Sequence, residues 1–344
     1  HATRSIPIIN ELLKRGCEVN IASGGQALPL LKTEFPQLRV FELPSYGARY
    51  SLFVPFMLHV LIQLPKFLWV IRKEHIQTQK IIKQHNLDLV ISDSRFGCWS
   101  KHVPTIFITH QTHIQMPGYM KWLEPCINFF NRNQIKKFTH CWIPDFLTDR
   151  ITGVLTKTEN LPARYIGMLS RFQRSAIQPP IKYDYLILIS GPEPQRTVLE
   201  NLMRENMNKL PGKKIMVKGR PYVGQEIIQS GSFEEVGHLQ SDRLQQIIES
   251  SETIISRSGY TTVMDLAVLG KKAFFIPTPG QTEQKFLAKE LKRRNVAFYQ
   301  DQKDFDLELA LQEVKNYSGF RSFDNSDHLF ETAMDDILTS LPYA

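Results

Sequence analysis

The chain of 344 residues has only four cysteines, Cys17, Cys98, Cys126 and Cys141, and no C-x-x-C pair. Their wide spacing excludes a disulfide framework and a cysteine zinc site, and it fits the reduced thiols of a cytoplasmic protein. Also missing are the dinucleotide fingerprint G-x-G-x-x-G, the phosphate-loop pattern G-x-x-x-x-G-K-[ST] and the metalloprotease pattern H-E-x-x-H. No signal-peptide pattern is visible. Long uninterrupted apolar runs are lacking as well. The most apolar stretch, 51–71, is broken by Pro55 and Pro65 and interrupted by His59, Gln63 and Lys66, which makes it a poor membrane-spanning helix. Basic residues are spread along the chain without a nucleic-acid-binding signature. The net charge of +8 therefore points to an anionic substrate or membrane surface and not to nucleic acid. One D-x-D triplet, Asp304-Phe305-Asp306, lies in a polar late segment away from any strand edge, so no metal cofactor is expected.

What is present describes a two-domain α/β protein. A content of 42% hydrophobic and 22% charged residues is that of a soluble globular chain, and the length suits two domains. His1-Ala2-Thr3-Arg4 opens a helix with no strand before it, so further residues are expected upstream. The helix ends near Gly16, and short strands follow at 19–22 and 40–43. After a helix over 76–85 come strands at 88–93 and 104–108. This alternation predicts a doubly wound parallel sheet, whose ligands gather at the carboxyl ends of the strands. Asp93 ends one strand, and His110 and Gln111 follow the next. The 51–71 stretch reads either as a buried or interdomain helix pair or as a membrane-docking face. In the second reading Lys66, Arg72 and Lys73 meet anionic headgroups beside Phe53, Phe56, Phe67 and Trp69.

The second half centres on residues 256–291. A strand ends at Ile255, Ser256-Arg257-Ser258-Gly259 reads as a turn, and 261–269 reads as a helix closed by Gly270. Such a turn aims unpaired backbone amides and the positive end of a helix dipole at one point, which suits a diphosphate. Asp265 falls about one turn into the helix, within reach of sugar hydroxyls. A buried strand at 273–276 leads to Pro277-Thr278-Pro279-Gly280 and a helix start carrying Gln281, Glu283 and Gln284, polar groups of the kind that grip a hexose.

This order of parts resembles the nucleotide-sugar half of GT-B glycosyltransferases, closest to the MurG-like, family 28-type branch that uses UDP-sugars. There a strand, an R-S-G turn, a helix with an acidic residue, a strand ending in proline and a Q/E-rich helix start follow at similar spacing. The resemblance implies two Rossmann-like domains facing each other across a cleft. Residues 1–168 would form the acceptor side, 169–325 the nucleotide-sugar side, and 326–344 a helix returning to the first domain. It implies that Ser256, Arg257, Ser258 and Gly259 meet the diphosphate, with Asp265 on the ribose and Gln281, Glu283 and Gln284 on the sugar. The family's strand-to-helix junction for the base falls at His238 and Leu239.

Elsewhere the match is partial. The family's Gly-rich diphosphate loop corresponds to 190–197, where Gly191 remains but two prolines remove donors. Arg196 would offset that loss, or the loop is only a rigid helix start. Arg171 keeps the last position of the family's linker pattern and would reach the diphosphate; otherwise it is an exposed linker arginine. An acceptor-meeting H-E-Q-N segment is represented by His110-Gln111, with Asp93 nearby. A glycine-rich loop ending in histidine would place His1 as general base, or as a helix-start histidine that only binds acceptor or phosphate.

The activity so implied is inverting, metal-independent transfer of a hexose or N-acetylhexosamine from a UDP-sugar to a hydroxyl of a lipid or cell-envelope acceptor, in the cytoplasm or peripherally on the cytoplasmic face of the membrane. Two rivals remain: a UDP-GlcNAc 2-epimerase on the same fold, and a non-catalytic nucleotide-sugar-binding or assembly protein.

Overall fold

The structure, a computed structural model, describes residues 2–25, 27–46, 63–148, 150–158, 161–220, 224–320 and 328–341. They divide into two compact units, with the break between Leu169 and Ser170 and the C-terminal helix belonging to the first. The positions Phe53 and Phe56, like His1, lie outside the described residues.

In the first unit the helix α1 (Ala2–Lys14) precedes a parallel pair, β1 (Asn20–Ser23) and β2 (Arg39–Glu42), with α2 (Ala27–Glu34) between them. The helix α3 (Leu64–His85) leads to a parallel sheet of β3 (Val90–Asp93), β4 (Thr105–Ile108), β5 (His140–Ile143) and β6 (Ala163–Tyr165), in that order, with α4 (Glu124–Ile135) between β4 and β5. Helix α1 is apolar on two sides. Ile6 and Ile9 pack with Ile21, Leu31 and Phe35, while Ile8 packs with Ile106, Ile108 and Trp142. The last helix, α10 (Leu329–Thr339), adds Ala333, Met334 and Ile337 to that second cluster, and Phe330 meets Trp142 edge-on at 6.3 Å. Proline at the first turn of α3 costs nothing there, because the amide it lacks has no intrahelical acceptor. So Pro65 starts a helix where the sequence suggested a break in a pair. Leu64, Leu68 and Trp69 on that helix are exposed, which removes the buried-pair reading for its described part.

The second unit holds β7 (Tyr183–Leu188), α5 (Gln195–Met207), β8 (Lys214–Val217), β9 (Ile228–Ser230), β10 (Phe233–Val236), α6 (Ser241–Glu249), β11 (Ser251–Ser256), α7 (Tyr260–Val268), β12 (Lys272–Phe275), α8 (Thr282–Arg293), β13 (Phe298–Tyr299) and α9 (Leu307–Glu313). The strand order is β13-β12-β11-β7-β8-β10-β9, parallel except for the β10–β9 edge. After β7 the chain builds outward through β8 and β10, then returns to lay β11 against the other side of β7. That reversal is the topological switch point of a doubly wound sheet, where such sheets bind ligands. The middles of the central strands are apolar and buried: Ile187, Ile254, Ile255, Ile215 and Met216 are fully enclosed.

Met334 is fully buried among Ile108, Trp142 and Ile337. Met334→Ala should lower the stability of the first unit by about 2–5 kcal/mol, read from the denaturant midpoint of unfolding.

Candidate functional site

The carboxyl edge of the second sheet collects the loops after β7, β8, β10, β11 and β12. Strand β11 ends at Ser256 and α7 begins at Tyr260, so the turn between them lies at the switch point. Ser256, Arg257 and Ser258 are buried, and Gly259 is half-buried in the extended conformation that precedes a helix. No side chain caps α7, and the first-turn amides of a helix have no intrahelical acceptor, so the positive end of the helix dipole lies at this turn. Gly270, at φ +64°, closes the helix: its amide reaches Ala267 O and that of Lys271 reaches Leu266 O, a Schellman pair.

The start of α8 joins this turn. Ser258 Oγ donates to Gln284 O at 2.8 Å, Gln284 Oε1 accepts from the Thr278 amide at 2.8 Å, and Gln284 Nε2 donates to Gln281 Oε1 at 2.6 Å. Gln284 thus fixes the loop 277–281 against the turn, and Gln281 and Glu283 lie half-buried beside it. Asp265 is buried in α7, where Ser170 Oγ donates to its Oδ1 at 2.6 Å and Arg171 Nε lies 3.9 Å from its Oδ2. Burial pushes this carboxyl up to about 6, against the opposing pull of Arg171 and Ser170. Arg171 Nε is itself buried without a hydrogen-bond acceptor. Burial, joined by the charge of Arg171, pushes the His238 imidazole below its ordinary value. Asp265, Arg171 and His238 therefore share one neighbourhood.

Residues 197–337 match the family model described as the glycosyltransferase family 28 C-terminal domain. That match covers most of the second unit and runs on into the last helix of the first. Two curated relatives bear the same name, UDP-N-acetylglucosamine–N-acetylmuramyl-(pentapeptide) pyrophosphoryl-undecaprenol N-acetylglucosamine transferase. The protein from Flavobacterium psychrophilum is 35% identical over 72 residues, 21% of this chain and 18% of that one. The protein from Histophilus somni is 29% identical over 147 residues, 38% of this chain and 39% of that one. The matches thus span well under half the length of these relatives. Among solved structures, the glycotransferase of kitacinnamycin aligns with TM-score 0.66 at 14% identity over 99% of this chain and 96% of its own. MurG of Acinetobacter baumannii aligns with TM-score 0.56 at 13% identity over 98% and 96%. The spinosyn forosaminyltransferase SpnP gives TM-score 0.58 at 13% identity over 98% and 96%. The fold is GT-B, built from two Rossmann-like units.

In the second unit, two of the arginines named for the diphosphate are held by protein acceptors. Arg257 does not point out of the turn. Its Nη1 donates to Ile276 O at 2.9 Å and Pro277 O at 3.1 Å, and its Nη2 donates to Gln195 O at 3.1 Å and Gln302 Oε1 at 2.6 Å. The three remote loops supply acceptors that outcompete solvent for the guanidinium fork. Arg196 is engaged too, with Glu193 Oε1 and Gly219 O at 3.0 and 2.8 Å. Gly219 is required there, since at φ +63° an added Cβ would lie 2.6 Å from Ile189 O. Gly191, at φ +103°, is exposed and faces open space. Leu239, named for the base, is buried. Asp306 Oδ1 caps α9 by accepting from the Leu309 amide at 3.1 Å, a structural use for the D-x-D triplet. Among the described residues no group of three or more His, Cys, Asp or Glu converges as metal ligands.

The first unit has a second polar centre at its own strand ends. Arg4, buried in α1, donates from Nε and Nη2 to the two oxygens of Asp93, from Nη2 to Ser94 Oγ at 3.0 Å and from Nη1 to His110 Nδ1. Arginine only donates, so His110 Nδ1 must accept and the ring proton sits on Nε2. Gln111 lies next to this centre, its amide on Thr109 Oγ1 and its carbonyl on Asn131. Sequence reasoning named Asp93, His110 and Gln111 but missed Arg4, Ser170 and Gln302. An arginine three residues into the first helix was the visible signal for Arg4; Ser170 and Gln302 carried none.

Asp265 is protonated more readily folded than unfolded, because its folded value near 6 exceeds the ordinary 3.8. Its burial therefore costs stability as the pH rises through that window. Relative to Asp265→Asn, the wild-type protein should lose about 2–3 kcal/mol between pH 4 and pH 6.5 and stay level above it, read from unfolding midpoints across pH.

Proposed function

We propose that this protein is an inverting, metal-independent glycosyltransferase that moves a hexose or N-acetylhexosamine from a UDP-sugar to a hydroxyl of a lipid-linked, cell-envelope acceptor. One observation carries the reading: the uncapped α7 start and the Gln284-braced loop meet at the switch point, inside the residues matched to family 28. The names of both curated relatives support UDP-N-acetylglucosamine as donor and a polyprenyl-linked acceptor.

In this reading the first-turn amides of α7 and its dipole take up the charge that the departing UDP acquires. Asp265 binds the ribose hydroxyls, and Ser170 keeps its carboxylate oriented. Gln281, Glu283 and Gln284 select the sugar, and the backbone at His238 and Leu239 reads the base. Arg171 offers its unsatisfied Nε to a diphosphate oxygen. In the first unit Asp93, His110 and Gln111 receive the acceptor. Proton removal from the attacking hydroxyl falls to His1, the residue that the family resemblance assigns. His110, with its Nδ1 lone pair already committed to Arg4, is less suited to it.

Exposed aromatic and aliphatic side chains support work at the cytoplasmic face of an anionic membrane. Leu64, Leu68 and Trp69 are exposed on α3, with Lys73 Nζ 3.8 Å over the Trp69 ring. Tyr119, Trp122 and Phe129 are exposed around the start of α4, with Lys121 among them. Among the described residues no helix is long and apolar enough to cross a membrane. No observation favours the epimerase, whose chemistry needs several carboxylates where Asp93 is already paired with Arg4.

The test is UDP release from UDP-N-acetylglucosamine, in EDTA, with a polyprenyl-diphosphate-linked sugar presented in vesicles. Acceptor-dependent release that survives EDTA, and that is faster on anionic than on zwitterionic vesicles, is expected. Conversion of the donor to its C2 epimer without acceptor, or donor binding without turnover on any lipid acceptor, would contradict it.

A further inference from the structure

Arg257 is unusual in its surroundings. It is 1% exposed, yet all four of its hydrogen bonds go to neutral acceptors, three backbone carbonyls and the Gln302 amide oxygen. Among the described residues no carboxylate lies within ion-pairing distance of it, and its Nε is buried with no acceptor. Arg4, equally buried, has Asp93 as its counter-ion. Burial alone pushes the Arg257 guanidinium down to about 10, still charged at neutral pH.

A buried cation without a counter-ion is expensive, and neutral dipoles offset only part of the cost. Its acceptors are therefore informative. Gln195 opens α5, Ile276 and Pro277 end the β12 exit, and Arg257 itself belongs to the turn before α7. The unbalanced charge thus lies among the loops at the sheet edge where the UDP-sugar reading puts the diphosphate.

We propose that Arg257 is the non-contacting counter-ion of the bound diphosphate. Its four hydrogen bonds hold the loops in place, while its charge attracts the ligand through the turn without touching it. This rests on the UDP-sugar reading and differs from the expectation that Arg257 binds phosphate directly. A charge in a water-poor site acts over several ångströms with little screening, so contact is not needed. The role separates charged from uncharged ligands: UDP should sense Arg257, and uridine should not.

The decisive variant is Gln302→Glu. It keeps the side chain's shape and the oxygen that accepts from Arg257, and it supplies the carboxylate the arginine lacks. Dissociation constants for UDP and uridine, measured by titration calorimetry, should diverge. UDP should bind on the order of tenfold more weakly, with uridine within about twofold of wild type and the thermal midpoint level or raised. Arg257→Gln, which removes the charge but keeps two donors, should lower the UDP-to-uridine affinity ratio similarly. If it does not fold, Gln302→Glu decides alone. Unchanged UDP binding in Gln302→Glu, or equal weakening of UDP and uridine, overturns the counter-ion role and leaves Arg257 a brace. Wild-type protein that binds neither UDP nor a UDP-sugar overturns the functional reading itself, a result distinguishable from either.

Discussion

Four hydrogen bonds from one guanidinium tie together the edge of the second sheet. Strand β11 brings Arg257 to the switch point, and the fork reaches the β12 exit, the first residue of α5 and Gln302 beyond β13. Without that tie, loops leaving four different strands would have no common reference. With it, the α7 amides, the Gln284 brace and the exposed backbone at Gly191 occupy fixed positions. A helix terminus is a useful electrostatic group only when its direction is constant, because its influence falls off within a turn. The arginine supplies constancy that the small turn residues cannot.

The same economy of form appears in the first unit. Arg4 binds a carboxylate, a hydroxyl and an imidazole from two neighbouring strand exits, so it orders β3 and β4 as Arg257 orders β11 and β12. The two arginines differ in their counter-charge. Arg4 is neutralised by Asp93, whereas Arg257 meets only carbonyl and amide oxygens. In the proposed reading, the unit that receives a neutral hydroxyl has no use for a net buried charge, while the unit that binds a diphosphate does.

Much of the fold was legible because parallel sheets leave strong sequence traces. The apolar runs at 185–189 and 253–255, the R-S-G turn and the closing Gly270 marked β7, β11 and α7 to within a few residues. What the sequence concealed was side-chain direction. Whether Arg257 faces solvent or protein depends on Gln195, Pro277 and Gln302, which are distant in sequence and carry no pattern linking them. Pro65 misled for a different reason: the residue that breaks a helix interior also suits its first turn, and only the position of the helix start distinguishes the two. Asp265 stood out by its spacing in the helix, but its partner Ser170 sits in a linker whose path no local rule describes. The exposed Trp69, Trp122 and Phe129 likewise could not be told from core residues by composition.

In the proposed function, oriented peptide amides at 258–261, and no metal ion, hold the diphosphate. Amide hydrogen exchange of this segment, followed with UDP and with uridine in the presence of EDTA, tests it directly. UDP should slow exchange at Ser258 through Thr261 in EDTA, with little slowing by uridine. Exchange that UDP leaves unchanged there, or that slows only once a divalent cation is added, would contradict it.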